Sequence, residues 1–204
     1  MKFFSPALTM MIVICSTTVL TSNMLLYQPK EATATEQNKS SDNPTNFLTY
    51  QNPIVGLKIQ YPFNWDKQEN ISSSDKNSTL TDLVRFISPF KNSSDTVAER
   101  FDIKVDNISN IQPTTLADYA NDTITNLGHD FKVIVSDTNA TLSGFPAYKF
   151  VYTGIGENVD LQAMLLLTIK GDRAFIISYT AEPTIFSYYL PTILKMVNSF
   201  EFTK

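Results

Sequence analysis

Residues Thr141–Ala181 read TLSGFPAYKFVYTGIGENVDLQAMLLLTIKGDRAFIISYTA, three consecutive strands in one stretch, and they decide the fold. Ser143-Gly144-Phe145-Pro146 is turn chemistry: Gly144 takes a positive φ without steric cost, and Pro146 suits the start of a strand. In the strand that follows, Tyr148, Phe150 and Tyr152 share one face and Ala147, Lys149, Val151 and Thr153 the other, the period-two alternation of a half-buried strand. Leu161 to Ile169 is almost continuously apolar, which predicts a strand covered on both faces. Lys170-Gly171-Asp172-Arg173 predicts a tight II′ or I′ hairpin into a third strand, Ala174 to Tyr179.

A strand apolar on both faces needs a layer above and a layer below it, and two amphipathic helices are available. From Thr115 to Leu127, residues Leu116, Tyr119, Ala120, Thr123, Ile124 and Leu127 form one stripe on the 3.6-residue period. Thr115 with Asp118 predicts a capping box, and Gly128 suits the C-cap. In the closing helix Phe186, Tyr189, Leu190, Ile193, Leu194 and Val197 form the core stripe, with Pro191 expected to start or bend the helix. Working towards the N-terminus, Phe47–Tyr50 and Leu57–Tyr61 read as strands joined through Asn52-Pro53 and Gly56. Leu83–Ile87, Phe101–Val105 and Lys132–Val135 add three more. The expected order is four strands, a helix, four strands and a helix, an α+β fold with an antiparallel sheet sandwiched between helices.

The chain has 204 residues, 43% hydrophobic and 18% charged, enough for one core once the ends are set aside. A formal charge of −4, with no cluster of Lys and Arg, argues against a nucleic-acid partner. Lys2 precedes an apolar run, and Phe3 to Tyr27 is long enough to span a bilayer. With Ala32-Thr33-Ala34 as a small-residue cleavage site, residues 1–27 read as a signal peptide or a retained anchor, and both place the remainder outside the cytoplasm. Residues 28–46 are polar, the composition of a spacer, and precede a domain expected over 47–204. The only cysteine, Cys15, lies in the apolar run without a lipidation box, so the exported part has no thiol for a disulfide, a metal or nucleophilic attack. Asn-x-Ser/Thr sequons at Asn38, Asn70, Asn77, Asn92, Asn107, Asn121 and Asn139, about twice the number chance gives, are candidate glycosylation sites.

Several short motifs carry a family resemblance. They are Tyr50-Gln51-Asn52-Pro53 with Gly56, Ile59-Gln60-Tyr61-Pro62 with Trp65, and Thr141-Leu142-Ser143-Gly144 with Pro146-Ala147-Tyr148. Leu190-Pro191 with Met196, Ser199 and Phe200 completes the set. Over about Phe47 to Phe202 the chain resembles the PsbP-like family, named after an extrinsic subunit of the oxygen-evolving complex of photosystem II, and especially its exported single-domain archaeal members. The resemblance implies an antiparallel sheet between helices and an accessory role in a membrane-associated protein complex. It also implies calcium as a candidate ligand, although no family ligand position can be matched here. The motifs are mostly turn and core residues, so they speak to fold before task.

Catalytic chemistry finds little to work with. His129, the only histidine, sits in a predicted loop beside Asp130, and a zinc or redox-metal site needs several nitrogen or sulfur ligands. Calcium needs only oxygen, for which Glu157, Asn158 and Asp160, or Asp130 and Asp137 with neighbours, are candidates, but nothing matches an EF-hand loop. There is no Gly-x-Ser-x-Gly elbow, and Gly154-Ile155-Gly156 lacks the third glycine of a phosphate-cradling loop. The aromatics Phe63, Trp65, Tyr188 and Tyr189 are expected to pack in the core, with a docking face as the rival reading. The expectation is a non-catalytic accessory protein without a cofactor; the alternative is a carrier of a small molecule or calcium outside the cytoplasm.

Overall fold

The computed structural model describes residues 46–69, 79–90, 97–110, 114–127, 131–155 and 160–203. In chain order the elements are β1 (Phe47–Asn52), β2 (Leu57–Pro62), β3 (Asp66–Glu69), β4 (Leu80–Ile87), β5 (Arg100–Asn107), α1 (Leu116–Thr125), β6 (Phe131–Leu142), β7 (Phe145–Ile155), β8 (Asp160–Lys170), β9 (Arg173–Ala181), α2 (Pro183–Asn198) and β10 (Glu201–Phe202). Seven strands form one antiparallel sheet in the order β3-β4-β5-β9-β8-β7-β6, and a small sheet follows β1-β2-β10.

The stretch Thr141–Ala181 supplies the heart of the large sheet as its alternation predicts. Leu166 and Met164 of β8 point into one core with Phe175, Ile177 and Tyr179, while Leu165 and Leu167 point into a second with Phe150, Ala174 and Ile176. The first core lies between the large sheet and a layer made of α2 and the small sheet, which adds Leu57, Ile59, Phe186, Ile193 and Met196. The second is closed by α1 through Tyr119 and Ala120. Burying a leucine or phenylalanine of this kind is worth roughly 1.5–3 kcal/mol, so β8 and β9, which contribute to both cores, anchor the molecule. Gly171 at φ 64°, with no positive φ at Asp172, gives the II′ form of the expected hairpin.

Five sequence expectations are corrected. β3, of sequence DKQE and wholly exposed, has no apolar alternation; it exists because its backbone pairs with β4 at the sheet edge. β10 is only two residues long, held by pairing with β2. The capping box of α1 is present, but the C-cap is Asn126, whose N–H and side-chain amide both donate to the Asp122 carbonyl at 3.1 and 2.6 Å; Gly128 lies outside the described residues. Pro191 sits inside a continuous α2 that starts with Pro183, because buried side chains on both sides of it, Phe186 and Tyr189 before and Ile193 and Met196 after, hold the helix to the core. Leu194 is 43% exposed, and Met196 takes the core position instead.

Candidate functional site

Of the residues singled out for chemistry, His129, Asp130, Glu157 and Asn158 lie outside the described residues, as do Asn38, Asn70, Asn77 and Asn92. Asp160 is exposed, and Asp137 is engaged by Lys149 at 3.4 Å and by the Asn139 N–H at 3.0 Å. Among the described residues no three His, Cys, Asp or Glu side chains converge as a metal site. Asn107, Asn121 and Asn139 are all exposed, but the sequon hydroxyl that follows Asn121 is not available: Thr123 is buried and donates to the Tyr119 carbonyl at 2.8 Å.

The structure also builds a buried polar band that sequence reasoning missed. In β5, Phe101, Ile103 and Val105 alternate with Asp102, Lys104 and Asp106, a pattern that reads as core against solvent. Yet Asp102, Lys104 and Asp106 are no more than 4% exposed. Arg85 of β4 donates to Asp102 at 2.5 Å, Lys104 lies 2.6 Å from Asp82, and the Tyr119 hydroxyl of α1 donates to Asp106 at 3.0 Å. Burial, then the Asp106 charge and the hydrogen bond to it, pushes the Tyr119 phenol up. The sequence carries no signal of this, because the partners of each β5 charge, Arg85, Asp82 and Tyr119, are set by strand pairing with β4 and by the packing of α1. Such pairs add little net stability but are costly to break one-sidedly. On the other face of the sheet Glu99 is fully buried and accepts from the Ser88 hydroxyl. Tyr179 donates to the Phe186 carbonyl at 3.0 Å, and its phenol is pushed up by burial, then by the charge of Glu99. These groups brace the sandwich from within.

The four candidate aromatics divide. Trp65 and Tyr189 are buried and meet edge to face at 5.9 Å. Phe63 and Tyr188 are 56% and 40% exposed, and Tyr188 packs on Tyr189 at 5.0 Å. The expectation that all four are core is therefore corrected for two of them: Phe63 sits in the turn after β2, and Tyr188 lies one residue off the buried stripe of α2. A second outward apolar feature is Ile134 and Val135 on β6, the outermost strand of the large sheet. Two bulges, at Val133/Val135 and Asp137/Ala140, interrupt that strand, and at the first of them both Ile134 and Val135 turn outward.

Fold and surfaces together define an α+β sandwich around one seven-stranded antiparallel sheet, whose distinctive side chains, among the described residues, are either braced inside or displayed outside. The chain belongs to the PsbP-like protein family, whose model matches residues 7–202. No curated protein sequence matches it. Among solved structures it is similar to cyanobacterial PsbP (CyanoP) from Synechocystis, at 14% identity and a TM-score of 0.53, covering 81% of this chain and 98% of that one. It is also similar to the Ran-binding protein Mog1p of Saccharomyces cerevisiae, at 11% identity and a TM-score of 0.50, covering 78% and 96% of the two chains. At these identities the likeness is one of fold.

Proposed function

We propose that this protein is an exported, non-catalytic accessory factor that binds and stabilises a membrane-associated protein complex from outside the cytoplasm. The observation that carries the reading is the edge of the large sheet. β6 is twelve residues long, pairs among the described residues only with β7, and displays Ile134 and Val135 at 48% and 47% exposure. An exposed edge with outward aliphatic side chains is a ready surface for a protein partner. Its two bulges limit indiscriminate strand addition, so recognition falls to the side chains. Membership of a family named for an extrinsic photosystem subunit, and the Ran binding for which a fold neighbour is named, support protein binding as the general task. The polar stretch 28–46 gives such a domain reach above the surface.

The test is mild crosslinking of native membranes followed by mass spectrometry. The expected result is a stoichiometric partner from one membrane complex, crosslinked through Lys132 or Lys149 beside the β6 edge, and lost in the Ile134→Asp/Val135→Asp variant. Recovery of the protein only in isolation overturns the proposal.

A further inference from the structure

A second surface, distinct from the β6 edge, starts where the N-terminal segment joins the fold. The carbonyl of Asn46, the first described residue, accepts the N–H of exposed Phe63 at 3.1 Å. Next to Asn46, the ring of Phe47 lies under Lys195 of α2, with Nζ 4.0 Å from the ring centroid. On α2, Tyr188, Pro191 and Lys195 follow one another at helical spacing on the outer side, and Leu194 is exposed beside them. Trp65, two residues after Phe63, reaches Tyr189 and through it Tyr188. Phe63, Tyr188, Leu194 and Lys195 therefore belong to the same end of the molecule as Asn46.

The composition of that surface is unusual for a surface helix. A helix on a soluble domain ordinarily turns charged residues outward. In its sixteen residues α2 carries a single charge, Lys195. The outer side thus presents Tyr188, Pro191, Leu194 and one cation, Lys195, among the uncharged Thr184, Ser187 and Asn198, in a chain whose formal charge is −4. Tyrosine and phenylalanine beside a lysine suit the headgroup region of a bilayer, where apolar rings bury and a cation meets anionic headgroups.

We infer that this end of the domain, Phe63 with the Tyr188–Lys195 side of α2, lies against the lipid surface of the membrane that holds the N-terminal segment. The inference rests on the reading of Phe3–Tyr27 as a retained membrane segment. Only the short stretch Gln28–Thr45 separates that segment from the domain, and even fully extended a chain of this length reaches no more than roughly 60 Å. Asn46 is then held close to the bilayer, and docking is an intramolecular event at high effective concentration, so weak contacts suffice.

The full chain is reconstituted in phosphatidylcholine–phosphatidylglycerol vesicles containing a diazirine-bearing lipid, photolysed, and mapped by mass spectrometry. Adducts are expected both within Phe3–Tyr27 and at Phe63, Tyr188 and Leu194. In Phe63→Ser/Tyr188→Ser/Leu194→Ser the yield on the domain should fall about tenfold while adducts on Phe3–Tyr27 are unchanged. These three side chains are exposed, so the fold should survive, and unchanged Trp65 emission verifies it. A second variant, Lys195→Glu, should reduce domain adducts in vesicles containing phosphatidylglycerol more than in phosphatidylcholine alone. Adducts on Phe3–Tyr27 with none at this end of the domain, or with adducts on another face, overturn the inference while leaving the anchored reading intact. Adducts on neither overturn both. Crosslinks from this end to a protein or to a second copy of the chain also overturn it.

Discussion

Replacing Tyr119 by phenylalanine removes one hydroxyl and little volume, yet it should be among the more damaging conservative changes in the chain. Tyr119 is 4% exposed, and its hydroxyl donates to Oδ2 of Asp106 at 3.0 Å. Asp106 is 1% exposed, and among the described residues its Oδ1 has no hydrogen-bond partner, so the phenol is the principal donor that this carboxylate retains. A hydrogen bond to a charged group contributes about 1.5–3 kcal/mol, and the full cost appears when the buried acceptor is left behind. Tyr119→Phe should therefore destabilise by about 2 kcal/mol, lowering Tm by about 6 °C in a domain of this size. Asp106→Leu should recover much of that in the Tyr119→Phe background, because Leu80 and Ala174 flank Asp106 on the neighbouring strands and replacing both partners by apolar groups removes the orphan. Urea titrations followed by Trp65 emission give the double-mutant cycle. Trp65 lies in the core on the opposite face of the sheet from Tyr119, so it reports global unfolding rather than a local change. A Tyr119→Phe variant within about 0.5 kcal/mol of the parent, or a cycle with no coupling, refutes the reasoning.

Four further outcomes are expected. Tyr119 and Tyr179 both have phenols raised by burial, so their neutral forms are favoured in the folded state; the stability they confer is complete below about pH 10 and falls above it by about 1.4 kcal/mol per pH unit for each phenol. Urea midpoints should drop steeply above about pH 10 and less steeply in Tyr119→Phe, whereas equal slopes would remove Tyr119 from the account. Gly56→Ala should cost about 1–2 kcal/mol and speed amide exchange at Thr203, because Gly56 sits at φ 69° and a Cβ there would meet the Thr203 carbonyl oxygen at 2.9 Å. Pro191→Ala, which restores a helical N–H on an exposed position inside α2, should raise Tm, and a lowered Tm would show that the proline ring contributes packing. If carbohydrate is added after folding, glycopeptide mapping should find occupancy at Asn107 and Asn139 well above that at Asn121, whose Thr123 hydroxyl is already bonded inside α1; equal occupancy would point to modification before folding.

Alternation and helical spacing made most of the fold legible because burial is a local pattern along each element. In β8 the unbroken apolar run from Met164 to Leu167 has one solution as a strand, a layer on each face, and the two cores divide those four side chains in alternation. The elements that escaped were those with no alternation to announce them: β3 is all polar and β10 is two residues long, and both are held by backbone pairing with other strands, Phe202 of β10 also packing against Phe145, Phe175 and Phe200.

From the residues alone follow the antiparallel sheet between helices, the capping box of α1, the hairpin at Gly171-Asp172 and the family kinship, since each is written in spacing or turn chemistry within a few neighbouring positions. Tertiary structure alone decided that the β5 charges are buried against Arg85, Asp82 and Tyr119, and that Phe63 and Tyr188 face outward while Trp65 and Tyr189 do not. Those outcomes depend on which strand or helix arrives opposite each side chain, and that is set by the packing of elements remote in sequence rather than by any local period.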